Sequence, residues 1–249
     1  MKPNEYAFSI PARDGQIIRG VYRDTYEGPV GMFLHGLSSD AEGTKSMRLW
    51  SQAERLDRSW IRFDMRAHGK SDGDFEEFSI SRAIEDTKLA LSLFGGRPKV
   101  LVGSSMGGWV ASQVALDAEV NVCGQVLIAP AFNFMNGIYL SASPEVQEQW
   151  RKSGYRTFDD TGPDCSYTIA YAAVLDSLQY DAFSTPLSYN HPVKILHGAL
   201  DDVVPSGQSL EFRDHADSDI EVTIFPDGDH RLTDHVDMIE WAVDKIWPD

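Results

Sequence analysis

Cysteine is scarce in this chain: Cys123 and Cys165 are the only two in 249 residues. Two cysteines cannot build a disulfide framework, and Cys123 lies in the apolar run VCGQVLIAP, where a small buried side chain is expected. A reducing compartment, the cytoplasm, follows as the expectation. Long apolar runs are missing as well. The opening stretch MKPNEYAFSIPARDG has no apolar centre of a signal peptide, and nothing approaches the roughly 20 apolar residues of a membrane span. No stable membrane insertion is therefore expected. Lysine is also rare: 8 Lys and 14 Arg stand against 25 Asp and 13 Glu, for a net charge of −16. Such a surface repels nucleic acid and anionic membranes, which excludes nucleic acid as a partner, and it fits a salt-adapted or simply an acidic protein. Repeats, low-complexity tracts and linker-like runs are absent. Neither H-E-x-x-H nor a paired-cysteine spacing occurs, so no metal and no cofactor is expected.

What is present is a long alternation of two kinds of segment. YAFSI and QIIRGVYR flank the turn PARDG and read as a hairpin. PVGMFLHG, WIRFD, PKVLVG, VCGQVLIAP, HPVKILHG and IEVTIFP read as apolar strands. Between them lie helical patterns. GTKSMRLWSQAERLD offers Met47, Trp50 and Leu56 as its buried face; SISRAIEDTKLALSLFGG is closed by glycines; MGGWVASQVALDA, SGQSLEFRDHA and the terminal TDHVDMIEWAVDKIW follow. Apolar strands alternating with amphipathic helices predict an α/β fold, a mostly parallel sheet of about eight strands with helices on both faces. The rhythm breaks between 132 and 187. That stretch is rich in aromatics and breakers, with helix-like pieces around 144–152 and 167–179, and is too long for a simple loop. It reads as a lid or cap insertion, leaving 1–131 and 188–249 as the core.

One of the strand ends is chemically suggestive. KVLVGSSMGGWV runs from an apolar strand through GSSMG into a helix, matching G-x-S-x-G with Gly103 and Gly107 two residues either side of Ser105. A nucleophile on so sharp a turn leaves no room for side chains at those two positions. Ser104 is the rival, but its neighbours at the same spacing are Val102 and Met106. A serine hydroxyl is a weak nucleophile at neutral pH and needs a base. FPDGDHRL places His230 in a polar loop after a strand, and LHGALDDVVP places Asp201, beside Asp202, in the loop after another. Ser105, Asp201, His230 is one known chain order for a nucleophile–acid–base triad.

Taken together, these motifs resemble the α/β-hydrolase fold superfamily over essentially the whole chain, from FLHG at 33–36 to the terminal helix. The resemblance implies an oxyanion hole formed by the backbone N–H groups of Leu37, after the His35–Gly36 pair, and of Met106. It also matches LHGALDDVVP to an HGxxDxxVP pattern through His197, Gly198, Asp201, Val204 and Pro205, which selects Asp201 over Asp202. FDMRAHGKSDG is similar to the family's Asp-x-x-Gly-x-Gly-x-Ser-x-Gly stretch, with Ala67 standing at the usual first glycine. Within the superfamily the motifs are most similar to small intracellular serine hydrolases related to a mitochondrial depalmitoylase that also cleaves acyl glucuronides. This implies cleavage of small-molecule carboxylic esters or acyl thioesters, with long-chain acyl-protein thioesterase, lysophospholipase or monoacylglycerol-lipase activities as alternatives.

The remaining candidates carry blander readings. His235 is expected on the first turns of the last helix, capped by Thr233 or Asp234, and His215 near the end of its own helix. His35 is expected to shape the oxyanion loop; His68 and His197 are expected to make local hydrogen bonds. Asp227, Asp229, His230, Asp234 and His235 could be imagined around a metal, but no ligand spacing supports it. In the insertion, Met135, Tyr139, Trp150, Tyr155, Tyr167, Tyr171 and Phe183 fit either lid core or acyl-pocket lining. Trp109 packs beneath the lid or lines the pocket. Candidate pocket residues are thus Trp109, Met135 and Tyr139. Two further function classes stay open: a non-catalytic binding protein on this fold, and the same triad turned to C–C or peptide bonds. An aspartate nucleophile, as in dehalogenases, does not fit GSSMG.

Overall fold

A computed structural model describes residues 4–159 and 166–248. The hairpin β1 (Glu5–Pro11) and β2 (Ile17–Arg23) forms one edge of an eight-stranded sheet. The other strands are β3 (Val30–Leu34), β4 (Ser59–Asp64), β5 (Lys99–Ser104), β6 (Val122–Ile128), β9 (Val193–Gly198) and β10 (Ile220–Phe225). Their spatial order is β1-β2-β4-β3-β5-β6-β9-β10. β2 pairs antiparallel with β1 and β4, and every pairing from β4 to β10 is parallel. Every residue of β3 and β5 is buried, which is why these strands read as unbroken apolar runs rather than alternating ones.

Helices cover both faces. α1 (Thr44–Arg55) and α8 (Val236–Ile246) pack on one, around Leu49, Trp60, Val102, Phe225 and Val243. α2 (Ile80–Leu91), α3 (Met106–Val114) and α7 (Gly207–His215) contribute to the opposite core, with Ala83, Val110 and Phe212. α2 starts where the Ser79 hydroxyl accepts from the Arg82 N–H and gives way to a short 3₁₀ turn that ends at Gly95, φ +51°.

The inserted stretch holds α4 (Phe134–Ser141), α5 (Pro144–Ser153), an antiparallel pair β7 (Tyr155–Asp159) and β8 (Ser166–Ala170), and α6 (Tyr171–Ser177). A helix was expected from 167, but 166–170 is a strand paired to 155–159 and helix begins only at Tyr171. Three other expectations are corrected. Met47 and Leu56 are exposed; the buried face of α1 is Ser46, Leu49, Trp50, Gln52 and Ala53. Ser46 and Gln52 are acceptable there because each finds a carbonyl, of Ala41 at 2.7 Å and of Glu240 at 2.9 Å. The last helix begins at Val236 after a 3₁₀ turn, with His235 rather than Thr233 or Asp234 at the cap. Cys123 is only half-buried, and Cys165 lies outside the described residues. Among the described residues no helix is long and apolar enough to cross a membrane.

Candidate active site

Three strands deliver the candidate residues to the same end of the sheet. Ser105 follows β5 directly, Asp201 lies just beyond β9 and His230 follows β10. In open parallel sheets the carboxyl ends of the strands are where ligands bind. Ser105 has φ +55°, ψ −120°, a strained turn for a residue with a side chain. The glycines beside it are required by contact. A Cβ on Gly103 would stand 2.2 Å from the Gly107 carbonyl oxygen, and one on Gly107 would stand 2.2 Å from that of Leu34. The turn is held by Ser105 N–H donating to Ile128 O at 2.8 Å, and by Ala131 N–H donating to Ser105 O at 3.1 Å.

The three side chains form one chain of hydrogen bonds. His230 Nδ1 lies 2.7 Å from Asp201 Oδ2, and His230 Nε2 lies 3.0 Å from Ser105 Oγ. An ionised carboxylate only accepts, so Nδ1 carries the hydrogen and Nε2 is left to accept from the serine. Asp201 Oδ1 takes the N–H groups of Val203 and Val204 at 2.9 and 2.8 Å. Burial of the Asp201 side chain opposes its charge. Hydrogen bonds from His197, His230 and the Val204 N–H outweigh that and hold the carboxyl well below the usual carboxylate range. Asp202 is exposed. The loops bearing Asp201 and His230 are joined backbone to backbone. Leu200 N–H donates to Gly228 O at 2.9 Å, and a Cβ on Gly198 would meet that oxygen at 2.2 Å.

The Gly36–Leu37 turn lies against Ser105: a Cβ on Gly36 would be 3.3 Å from Ser105 Cβ. Met106 is the first residue of α3, where helix geometry leaves N–H groups without intrahelical partners. Neither Leu37 N–H nor Met106 N–H bonds to another described residue. His35 shapes this turn. Its Nε2 accepts from Met65 N–H at 3.1 Å, so Nδ1 holds the hydrogen and donates to Gly36 O at 2.8 Å. Burial pushes the His35 imidazole below its ordinary value, against the pull of that carbonyl. His68 packs 4.9 Å from His35 and is pushed down to about 4, first by burial and then by His35. Ala67 has φ +67°, which explains why glycine is usual there in the motif.

The other polar candidates diverge. His235 stacks on Phe225 at 4.4 Å with Nε2 3.3 Å from Asp227, while Asp229 caps the Arg231 and Leu232 N–H groups. His215 ends α7 with its ring 6.2 Å from Phe183. Trp109 is fully buried beneath the insertion, donating from Nε1 to Tyr180 O at 3.0 Å, and Met135 is fully buried as well. Tyr139 packs on Tyr171 and joins a chain of ring contacts through Trp150, Phe158 and Tyr167 to Phe75. A separate cleft is lined neither by these three pocket candidates nor by Ser105, Asp201 or His230, and approaches them in sequence only at Ser38, the residue after Leu37. That cleft, of about 660 Å³, lies between the 38–40 turn, the 67–76 loop and Tyr167–Thr168 of β8. Asp40, Asp74 and Glu76 line it, and among its described lining residues there is no Lys or Arg. Sequence reasoning missed Val203 and Val204 as amide donors and His197 as a direct partner of Asp201. The HGxxDxxVP match held His197 and Val204 and left Val203 at an unspecified position, and a pattern carries no direction in space.

Known proteins resemble this chain over most of its length. Bovine palmitoyl-protein thioesterase ABHD10, mitochondrial, is 27% identical over 227 residues, covering 88% of this chain and 73% of that protein. A crystal structure of a putative hydrolase from Agrobacterium vitis S4 superposes with a TM-score of 0.91 at 29% identity, covering 98% of each chain. Mouse alpha/beta hydrolase domain-containing protein 10 has a TM-score of 0.88 at 24% identity, over 97% of this chain and 98% of that one, a likeness of fold. The alpha/beta hydrolase family profile matches residues 32–241, from β3 to the last helix, and the chain belongs to that family.

Proposed function

We propose that this protein is a serine hydrolase of carboxylic esters and acyl thioesters, with Ser105 as nucleophile, His230 as base and then acid, and Asp201 as the group that orients the imidazole. The observation that carries the reading is the unbroken Ser105–His230–Asp201 hydrogen-bond chain at 3.0 and 2.7 Å. As Ser105 Oγ adds to the carbonyl, its proton passes to His230 Nε2, and Asp201 stabilises the imidazolium without taking the proton. The oxyanion lies between the N–H groups of Leu37 and Met106, each worth about 3 kcal/mol in the transition state by comparison with other acyl-transfer enzymes. His230 then protonates the leaving alcohol or thiol, and water repeats the sequence on the acyl-enzyme.

The thioester half of the proposal rests on the bovine relative's name, palmitoyl-protein thioesterase. The 132–187 insertion is the cap over this end of the sheet, and the cytoplasm remains the compartment the low cysteine content favours. Ser105→Ala should lower kcat/KM by about 10⁴-fold or more while the melting temperature stays near that of the wild type. A fluorophosphonate probe should label the wild type and not the variant. Undiminished turnover by a clean variant preparation overturns the assignment of the nucleophile. A chain-length series of p-nitrophenyl esters and matching thioesters then separates a depalmitoylase-like preference for long acyl thioesters from a short-chain carboxylesterase.

A further inference from the structure

Asp201 has a second imidazole. His197 Nε2 lies 3.0 Å from Asp201 Oδ2, the same oxygen that faces His230, and 3.0 Å from the Val204 carbonyl. On its other side His197 Nδ1 lies 2.7 Å from the Ser209 hydroxyl. The side chains of His197 and Asp201 are fully buried, and Ser209 on α7 is buried as well.

This geometry fixes the protons. A carbonyl and a carboxylate both only accept, so Nε2 between them must carry hydrogen. With Nε2 as the donor, Nδ1 of the neutral ring accepts, and Ser209 Oγ–H is the donor facing it. Were the ring charged, the Ser209 hydrogen would lose its acceptor, since the hydroxyl has no other bond among the described residues. The neutral Nε2–H tautomer leaves every group paired. Asp201 then receives four donors: two amides on Oδ1, and His197 and His230 on Oδ2.

We propose that His197 and Ser209 are positioning residues for hydrolysis: Ser209 sets the tautomer of His197, and His197 clamps Asp201 Oδ2 so that it points at His230. The proposal rests on reading Ser105, His230 and Asp201 as the triad. Without the His197 donor, a buried carboxylate oxygen is left short of a partner, and Asp201 can recover one only by turning away from His230. The array is then Ser209–His197–Asp201–His230–Ser105, of which only the last two members meet substrate.

The test measures kcat, KM and the downfield proton resonance of the His230 Nδ1–H in five variants: His197→Leu, His197→Gln, Ser209→Ala, Ser209→Thr and Ser105→Ala. In His197→Leu, kcat should fall by about 10²-fold with KM within about threefold, as expected for an interaction that matters in the transition state. The resonance should shift or broaden. His197→Gln, whose amide can replace the Nε2–H donor, should recover a large part of kcat. Ser209→Ala should lose about fivefold to tenfold in kcat, and Ser209→Thr should restore it. Wild-type kcat and an unmoved resonance in His197→Leu overturn the proposal, as does a rise in KM alone. If His197→Leu does not fold, a folded Ser209→Ala with unchanged kcat and resonance overturns it. An inert Ser105→Ala beside a fully active His197→Leu sinks this inference and leaves the triad standing; an active Ser105→Ala sinks the triad itself.

Discussion

The carboxyl edge of the sheet and the 132–187 insertion are packed by different parts of the chain. At the edge, backbone meets backbone: a single added Cβ at Gly103, Gly107 or Gly198 would fall 2.2 Å from a carbonyl oxygen. In the insertion, rings do the packing, with Trp150 touching Tyr139 and Phe158 and donating from Nε1 to Ile169 O at 2.9 Å. Gly137 of α4 would have nothing within 4 Å of an added Cβ. Backbone packing admits one residue type at each contact, whereas ring packing accepts substitutes of similar volume. The candidate triad is therefore built on the part that can vary least, and the 132–187 stretch is the part that can vary most.

The sharpest way to break this contrast is Gly107→Ala. The added methyl meets the carbonyl oxygens of Leu34 and His35 at 2.2 and 2.5 Å, and neither can move without shifting β3. A loss of at least about 3 kcal/mol in urea unfolding, or failure to yield soluble protein, is expected. Wild-type stability would show that the strand end yields, and the distinction between the two regions would fail.

That edge was also the part most legible in sequence. GSSMG carries its glycines because of the contacts just described, so the requirement is written locally and can be read locally. The parallel strands could be read for a similar reason: burial on both faces leaves unbroken apolar runs. The insertion was harder. Tyr155–Asp159 and Ser166–Ala170 pair across an intervening stretch, and the alanines that follow Tyr171 extend a helical pattern back over a strand. α1 shows a second cause: Ser46 and Gln52 are buried by bonds to distant carbonyls, which no hydropathy pattern reveals. The His197–Asp201 contact was hidden in the same way, since it depends on how the loop after β9 turns.

A pH experiment sharpens the comparison next. His68, pressed between His35, Phe75 and Phe78, is pushed down to about 4. The unfolded chain takes up this proton near pH 6.5 and the folded one only near 4. Stability from the neutral ring is thus complete above about pH 6.5 and is lost as the pH falls, by up to about 3 kcal/mol. Asp201 acts in the same direction at lower pH, since its stabilisation is lost only below the ordinary carboxylate value. Urea unfolding at pH 7.5, 6 and 5 should show the decline, and His68→Phe should make it shallower; His35 and His191, both pushed down by burial, add to it, and Asp86, pushed up to about 6 by burial, opposes it. An identical slope in the variant would place the titrating group elsewhere.

A smaller effect is expected from the charge of the cleft between the 38–40 turn, the 67–76 loop and β8. Asp40, Asp74 and Glu76 give it one sign. A leaving group bearing phosphates should be disfavoured relative to a neutral one. Acyl-coenzyme A should react with kcat/KM about tenfold below the matching N-acetylcysteamine thioester at low salt, and the gap should narrow as screening increases. Asp74→Asn with Glu76→Gln should narrow it too. Equal rates at low salt would mean that the leaving group does not pass through this cleft.

The smallest effect comes from the insertion's own glycine. Gly137 lies within α4, is exposed, and has open space where a side chain would go. Alanine there fixes the backbone of the unfolded chain and satisfies helix propensity without touching a neighbour, so Gly137→Ala should add about 0.5–1 kcal/mol to unfolding stability. Its kcat should match the wild type if α4 serves only as cover. A gain in stability coupled to a fall in kcat would mean instead that the reaction needs α4 to loosen, and that the insertion takes part in turnover. Set against Gly107→Ala, the same added methyl would then read out two roles of glycine in one chain: contact at the sheet edge, and freedom in α4.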